Sequence, residues 1–185
     1  MGHVYISMLR GINVSGQNKI AMPDLKRLYE ALGMENVQTY VQSGNVVFTC
    51  ELYDKARLAM AIEAGIQEQL GHTVSVFIRE LLEFERVAAG NPFLSNVQVD
   101  PAFRHVTFLY ATTSVIILTD LPSPNADGDE YAAGEQAIYL YCPNGYGRTK
   151  LSNTYFERKL KVAATTRNWK TVNALLDMAR KVDQG

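Results

Sequence analysis

The segment Val37-Gln38-Thr39-Tyr40-Val41-Gln42-Ser43-Gly44-Asn45-Val46-Val47-Phe48-Thr49-Cys50 decides the fold of this 185-residue chain. It holds two strands, Val37 to about Ser43 and Asn45 to Cys50, which are separated by a turn that contains Gly44. Two apolar runs on either side of a short glycine-containing turn are typical of a β-hairpin. The sequence therefore predicts an antiparallel pair of strands in the middle of the N-terminal half.

On each side of this hairpin the sequence predicts one strand and one helix. Before it, alternating residues from His3 to Arg10 predict a strand, and leucines at helical spacing after Pro23 predict a helix that ends at Gly33. After it, aliphatic residues at four-residue intervals predict a helix over residues 54–70, and a fourth strand follows over 74–78. The order βαββαβ over residues 1–80 predicts an α+β fold. It is that of a ferredoxin-like split βαβ plait with the antiparallel strand order 4-1-3-2 and both helices on one face.

Residues 81–185 predict a second small α/β subdomain that packs on the first. The segment Pro122 to Gly134, rich in proline, glycine and acidic residues, is expected to be a loop. The remaining predicted elements are a short helix after residue 80, strands at Arg104–Tyr110 and Ala137–Cys142, and helices at 152–160 and from Asn168 or Thr171 to Val182. No sequence repeat relates the two halves.

Composition excludes several classes of protein. The chain is 47% hydrophobic and 20% charged, which is ordinary for a globular protein, and its net charge of −1 gives no overall attraction to nucleic acid or to anionic membranes. Cys50 and Cys142 lie far apart and belong to no metal or redox motif, so free thiols in a reducing cytoplasm are expected. We find no membrane span, no metal site and no motif for a cofactor, and the oligomeric state is not indicated.

The segment Leu9-Arg10-Gly11-Ile12-Asn13-Val14-Ser15-Gly16 leads from the first strand into a glycine-rich loop. It is not a P-loop, because the lysine is delayed to Lys19 and the helix begins only near Pro23. The predicted strand order places Arg10 and Asn13 beside Ser43 and Asn45, which suits an anionic or polar ligand. The alternative is structural: the glycines shape a turn, Arg10 pairs with a carboxylate, and Asn13 satisfies the loop backbone.

A second polar cluster, Thr165-Thr166-Arg167-Asn168-Trp169, precedes the last predicted helix. In one interpretation it is the beginning of that helix, with Asn168 or a threonine capping free N–H groups and Trp169 packing against the first turn. In the other, Arg167 and those N–H groups hold an anion. Lys150, which precedes another predicted helix, adds positive charge.

Six segments, spread in order over nearly the whole chain, carry a resemblance to a known family. They are Leu9–Val14, Thr39–Tyr40, Ser43–Val46, Asn91–Phe93, Lys150–Leu151 and Thr166–Trp169. In these segments the chain is similar to the family catalogued as domain of unknown function 1697. The resemblance implies a bacterial-type cytosolic protein of two plait-like α/β subdomains and brings no established activity or catalytic residues.

Three functional hypotheses remain. The first is a small-ligand binding protein or enzyme whose anionic or polar ligand, for example a nucleotide, contacts a set of seven residues at the loop edge and, if the two halves face each other, in the second half. The second is RNA binding on an open sheet face, where Tyr5, Tyr40 and Phe77 are expected to point away from the helices, although nucleic acid is the less favoured partner. The third is a protein-interaction module that uses exposed edge strands. Catalytic residues remain unknown, and the predicted ligand-binding residues are Arg10, Asn13, Ser43, Asn45, Lys150, Arg167 and Asn168.

Overall fold

The computed structural model describes residues 2–14, 16, 18–52, 54–95, 100–110, 128–134 and 136–185. By compactness the chain divides into two units. The first comprises Met1–Glu85 and Ala174–Gly185, and the second comprises Arg86–Asn173. Each unit contains one four-stranded antiparallel sheet within the described residues.

The first unit has the element order that the sequence predicts. Its sheet order is β2-β3-β1-β4, the predicted 4-1-3-2 arrangement, and every pairing is antiparallel. Tyr5 lies opposite Phe48 on β3, and Leu9 lies opposite Val76 on β4. The elements are β1 (His3–Leu9), α1 (Met22–Ala31), β2 (Glu35–Tyr40), β3 (Asn45–Cys50), α2 (Lys55–Leu70) and β4 (Val76–Glu80), followed by α3 (Leu81–Ala89).

Both α1 and α2 pack on one face of this sheet. Tyr5, Leu9 and Phe48 share a buried cluster with Leu25 of α1 and Ile62 of α2. The expectation that Tyr5 points away from the helices is therefore wrong. Alternation separates two faces of β1, but both sets of buried side chains are mainly apolar, with Ser7 as the exception, so the pattern does not indicate which set contacts the helices.

The opposite face of the first sheet is also covered. Ile6, Met8, Val47 and Phe77 project from it and are buried. Phe77 does point away from the helices, as predicted, but it is not exposed. The aromatic side chains considered for base stacking therefore do not form one open surface.

The second unit repeats the strand order of the first. Its sheet order is β6-β7-β5-β8, again with antiparallel pairs. Leu109, Ile138 and Leu140 pack with Phe156 of the helix on one face. The elements are β5 (Arg104–Leu109), β6 (Glu130–Ala133), β7 (Ala137–Tyr141), α4 (Asn153–Leu160), β8 (Ala164–Asn168) and α5 (Trp169–Asp183).

Two of these strands correct the sequence prediction. Glu130–Ala133 is an edge strand rather than part of a loop, and Ala164–Asn168 is a strand rather than the beginning of a helix. β6 is only four residues long and contains two alanines, which are poor strand formers. β8 is five residues long and mostly polar, so neither strand shows apolar alternation. Residues 122–127 of the predicted loop lie outside the described residues.

The last helix belongs to both units. Its residues from Ala174 onward group with the first unit, whereas the sequence assigned them to the second. Within the first unit, Arg180 Nε donates to Glu85 Oε1 of α3 at 2.8 Å. The apolar stripe of this helix predicts that one of its faces is buried. The stripe does not indicate to which unit each part of the helix belongs.

Candidate functional site

Three backbone segments meet at one edge of the first sheet. Leu9 N donates to Gly44 O at 2.8 Å, and Arg10 N donates to Ser75 O at 3.0 Å. Met8 lies opposite Asn45 in the β1–β3 register. The end of β1, the β2–β3 turn and the start of β4 therefore lie together. We call this region, residues 10–20 with residues 41–45, the loop edge; it contains Arg10, Asn13, Ser43 and Asn45.

Asn13 ties the two parts of the loop edge together. Its backbone is left-handed, with φ of 54°. Its amide nitrogen donates to Ile20 O at 2.9 Å and to Gln42 O at 2.7 Å, while its side-chain oxygen accepts from Ile20 N at 3.0 Å. The structural interpretation of Asn13, that it satisfies the loop backbone, is confirmed by these three bonds.

Asn45 and Ser43 are also bonded within the loop edge. The Asn45 side chain is fully buried, and its amide donates to Tyr40 O at 3.0 Å and to Ser43 Oγ at 2.9 Å. Arg10 and Asn13 are both half-buried, whereas Asn45 is fully buried. Arg10 adds a cationic side chain to the loop edge.

Val41 is a feature of the loop edge that the sequence does not reveal. Its φ is +50°, in the left-handed region that β-branched residues very rarely adopt, and the residue is 50% exposed. Such a conformation costs about 1–3 kcal/mol. Burial of the valine side chain does little to offset that strain. A valine in the middle of a predicted hairpin is typical of a regular strand, so no pattern could have identified it.

The other three predicted site residues lie in the second unit. Arg167 is buried on β8, where its Nη1 donates to Thr165 Oγ1 at 2.8 Å and to Thr166 O at 3.0 Å. Asn168 caps α5 by accepting from Thr171 N at 2.8 Å, as the helix-start interpretation predicts. Lys150 is exposed just before Leu151. Each group of predicted residues therefore lies within its own unit.

Sequence reasoning also missed a buried arginine in the first unit. Arg79 lies opposite Ile6, as Arg167 lies opposite Val106, so the two arginines occupy equivalent register positions. In each case Nη1 donates to the carbonyl of the preceding residue, Ile78 at 2.9 Å and Thr166 at 3.0 Å. Burial lowers the pKa of both side chains, to about 10 for Arg167. The sequence signal is an arginine one residue before the end of a strand that leads directly into a helix.

His105 is a buried histidine of the second unit whose environment shifts its pKa. Its ring stacks on Tyr146 with centroids 4.9 Å apart, and Nδ1 lies 3.3 Å from Phe103 O. Burial lowers its pKa, and the bond to Phe103 opposes this only in part. The folded protein therefore favours the neutral imidazole.

We expect His105→Gln to reduce the loss of stability in acid. Below pH of about 6.5 the unfolded chain takes up a proton that the folded chain resists, so wild-type stability falls as pH falls through this range. Each unit of pKa difference corresponds to about 1.4 kcal/mol. Urea unfolding from pH 7.5 to 5 measures the effect. Equal pH slopes for the variant and the wild type would contradict it.

Within the described part of the chain, no group of three or more His, Cys, Asp or Glu side chains is placed to hold a metal ion. Across the same residues, no helix is both long enough and apolar enough to cross a bilayer.

Two units, each built on a four-stranded antiparallel sheet with the same strand order, define a mixed α/β protein. The family model for the protein of unknown function DUF1697 matches residues 3–139, and the chain belongs to this family. A solved structure described as that of the conserved bacterial protein SP0830 from Streptococcus pneumoniae is similar, with a TM-score of 0.74 and 25% identity over 97% of this chain and 99% of that one. A comparison with curated proteins gives no match.

Proposed function

We propose that this protein binds a small anionic or polar ligand, such as a nucleotide, at the loop edge, with Arg10 as the cation that contacts it. The observation that carries the proposal is the concentration of left-handed backbone in these two short segments. Among the described residues of these segments, six have positive φ, and one of them is a strained, exposed valine. These residues are Gly11, Asn13, Gly16, Asn18, Val41 and Gly44.

Strain of this kind persists only where surrounding structure enforces it, and it concentrates at ligand clamps and active sites. At the loop edge the enforcing contacts are the bonds of Asn13 to Gln42 O and of Asn45 to Tyr40 O, which hold the backbone on both sides of Val41. A turn required only to join β2 to β3 could carry asparagine or glycine at position 41 at lower cost. We infer that the shape of the turn serves a bound molecule.

The charge of the loop edge supports an anionic ligand. Residues 10–20 and 41–45 contain Arg10 and Lys19 and no acidic residue. The whole chain has a net charge of −1, so this positive charge is local. A guanidinium beside glycine-rich backbone suits a phosphate or carboxylate group.

The test is thermal-shift calorimetry against a panel of nucleotides and phosphorylated metabolites. We expect one class to stabilise the wild type, by about 2.7 kcal/mol at 100 times its Kd. Arg10→Ala should weaken binding about 10- to 100-fold, since a hydrogen bond to a charged group contributes about 1.5–3 kcal/mol. Lys26→Ala, on the exposed surface of α1, is the matched control. If no anionic compound shifts the wild type, or if R10A retains every shift, the proposal is wrong.

Val41→Asn separates strain from binding in the same assay. Asparagine tolerates left-handed backbone, so the variant without ligand should be about 1 kcal/mol more stable than the wild type. It should also bind the ligand less tightly if the valine is kept for function. If the variant is more stable and binds the ligand as tightly as the wild type, the strain at Val41 has no role in binding.

We place this activity in the cytoplasm. Both Cys50 and Cys142 are free thiols. Burial is the main cause that raises the pKa of Cys142 to about 11, so this side chain stays a thiol at neutral pH. Free thiols are ordinary in a reducing compartment.

A further inference from the structure

Two exposed valines lie in the loop edge, one in each of its segments. Val14 is 58% exposed and Val41 is 50% exposed. The other aliphatic side chains of residues 10–20, those of Ile12 and Ile20, are buried. The loop edge therefore buries some of its apolar side chains and leaves these two in contact with water.

Contacts between the two segments show where the valines lie relative to each other. The position of a Cβ on Gly44 is 2.6 Å from Ile12 Cδ1. The side-chain amide of Asn13, the next residue, donates to Gln42 O at 2.7 Å. Residue numbers thus rise along one segment as they fall along the other. The next residues in this direction are the two valines, so their backbones are neighbours.

A cationic side chain lies beside the first of these valines. Asn13 N donates to Asn18 O at 3.2 Å, which closes the loop and brings Lys19 back toward Val14. The Lys19 side chain is exposed, and its Cε lies 3.9 Å from the position of a Cβ on Gly16. The sequence of the loop edge contains no acidic residue. This region therefore presents apolar and positively charged surface together.

The proposed function explains the left-handed turn but not the valine within it. Asparagine or glycine holds the same backbone at lower cost. A valine adds only methyl groups, which donate no hydrogen bond to an anion and gain free energy when water is removed from them. In the folded protein Val41 stays half exposed, so folding provides little of that gain. A ligand with an apolar part supplies the missing contact.

We propose that the ligand of the loop edge joins an apolar group to its anionic group, with Val14 and Val41 in contact with the apolar group and Lys19 beside the anionic group. A planar base and an alkyl chain are both apolar groups of this kind. Removing water from such a group and from two exposed valines favours binding. The inference rests on the proposed function, because it describes a second part of the same ligand.

The test compares compounds that share one anionic group. Adenosine monophosphate differs from ribose phosphate by its base, and hexyl phosphate differs from methyl phosphate by the length of its alkyl chain. We expect the larger member of one pair to bind the full chain about 10-fold more tightly than the smaller member, measured by calorimetric titration. A preference in the first pair identifies a base as the apolar group, and a preference in the second identifies an alkyl chain.

Two variants test whether the valines cause this preference. Val14→Ser removes an exposed apolar side chain and should reduce the ratio of the two affinities about 3- to 10-fold. Val41→Thr keeps the β-branched shape, and therefore the left-handed strain, but replaces one methyl group with a hydroxyl group. It should reduce the same ratio.

Leu82→Ser is the matched control. Leu82 is 55% exposed, and it follows the end of β4, whereas the start of β4 lies at the loop edge. This variant loses a similar exposed side chain at the opposite edge of the sheet. It should keep the wild-type ratio of affinities.

The outcomes separate this inference from the proposed function. If both members of each pair bind equally well, the inference is wrong and the proposed function stands. If no anionic compound binds, the proposed function is wrong and the inference fails with it. Sedimentation of the wild type as a dimer and of V14S as a monomer also overturns the inference, because a second copy of the chain then covers the valines.

Discussion

Replacing Gly44 with alanine will destabilise the protein by about 2–5 kcal/mol, because the substitution combines left-handed strain with overpacking. The φ of Gly44 is +73°. A Cβ added there would lie 2.6 Å from Ile12 Cδ1 and 2.8 Å from Leu9 Cβ. Leu9 N also donates to Gly44 O, so the turn cannot move away without losing that bond. Urea unfolding measures the change in the free energy of unfolding.

Gly11→Ala is the matched control for this prediction. Gly11 has a similar φ of +67°, but nothing lies within 4 Å of its added Cβ. It should therefore show only the left-handed penalty, about 1–2 kcal/mol. If G44A and G11A lose the same stability, the contact with Ile12 contributes nothing and the loop edge is looser than we infer.

The fold of the first unit could be predicted because the turn that contains Gly44 marks a hairpin in the sequence. The Val37–Cys50 hairpin lies between two amphipathic helices, and a short hairpin makes β2 a neighbour of β3. Topology then brings Arg10 and Asn13 to Ser43 and Asn45 without any information on side-chain contacts. The sequence pattern could not indicate the hydrogen-bond partners of these polar side chains. Asn13, for example, binds backbone groups of the loop whether or not a ligand is present.

The second unit was harder to predict for a different physical reason. Its edge strands β6 and β8 are short, and β8 is rich in threonine and polar residues that also suit the beginning of a helix. Buried arginines make the prediction harder still. Arginine is usually exposed, so an analysis based on apolar residues places Arg79, Arg104 and Arg167 on the surface, although all three are buried. The burial of Asn91 was missed as well, since an Asn-Pro sequence is typical of an exposed turn.

Asn13→Ala should destabilise the protein by about 2–4 kcal/mol. The variant loses the two bonds to Ile20 and the bond to Gln42 O, each contributing about 0.5–1.5 kcal/mol, and it places alanine at a φ of 54°. Asn13→Gly loses the same bonds without the left-handed strain, so it should be about 1 kcal/mol more stable than N13A. Urea unfolding of both variants separates the two contributions.

The variants N13A and N13G also test the role of Asn13 in the proposed site. Because its three hydrogen bonds go to backbone, Asn13 positions the turn around Val41 and leaves contact with the ligand to Arg10. Ligand titration of N13G below its unfolding transition should therefore show weaker binding that excess ligand still saturates, whereas R10A should lose the charge-dependent part of the affinity. If N13A and N13G both keep wild-type stability, the hydrogen bonds do not hold the loop edge, and the strain at Val41 must have another origin.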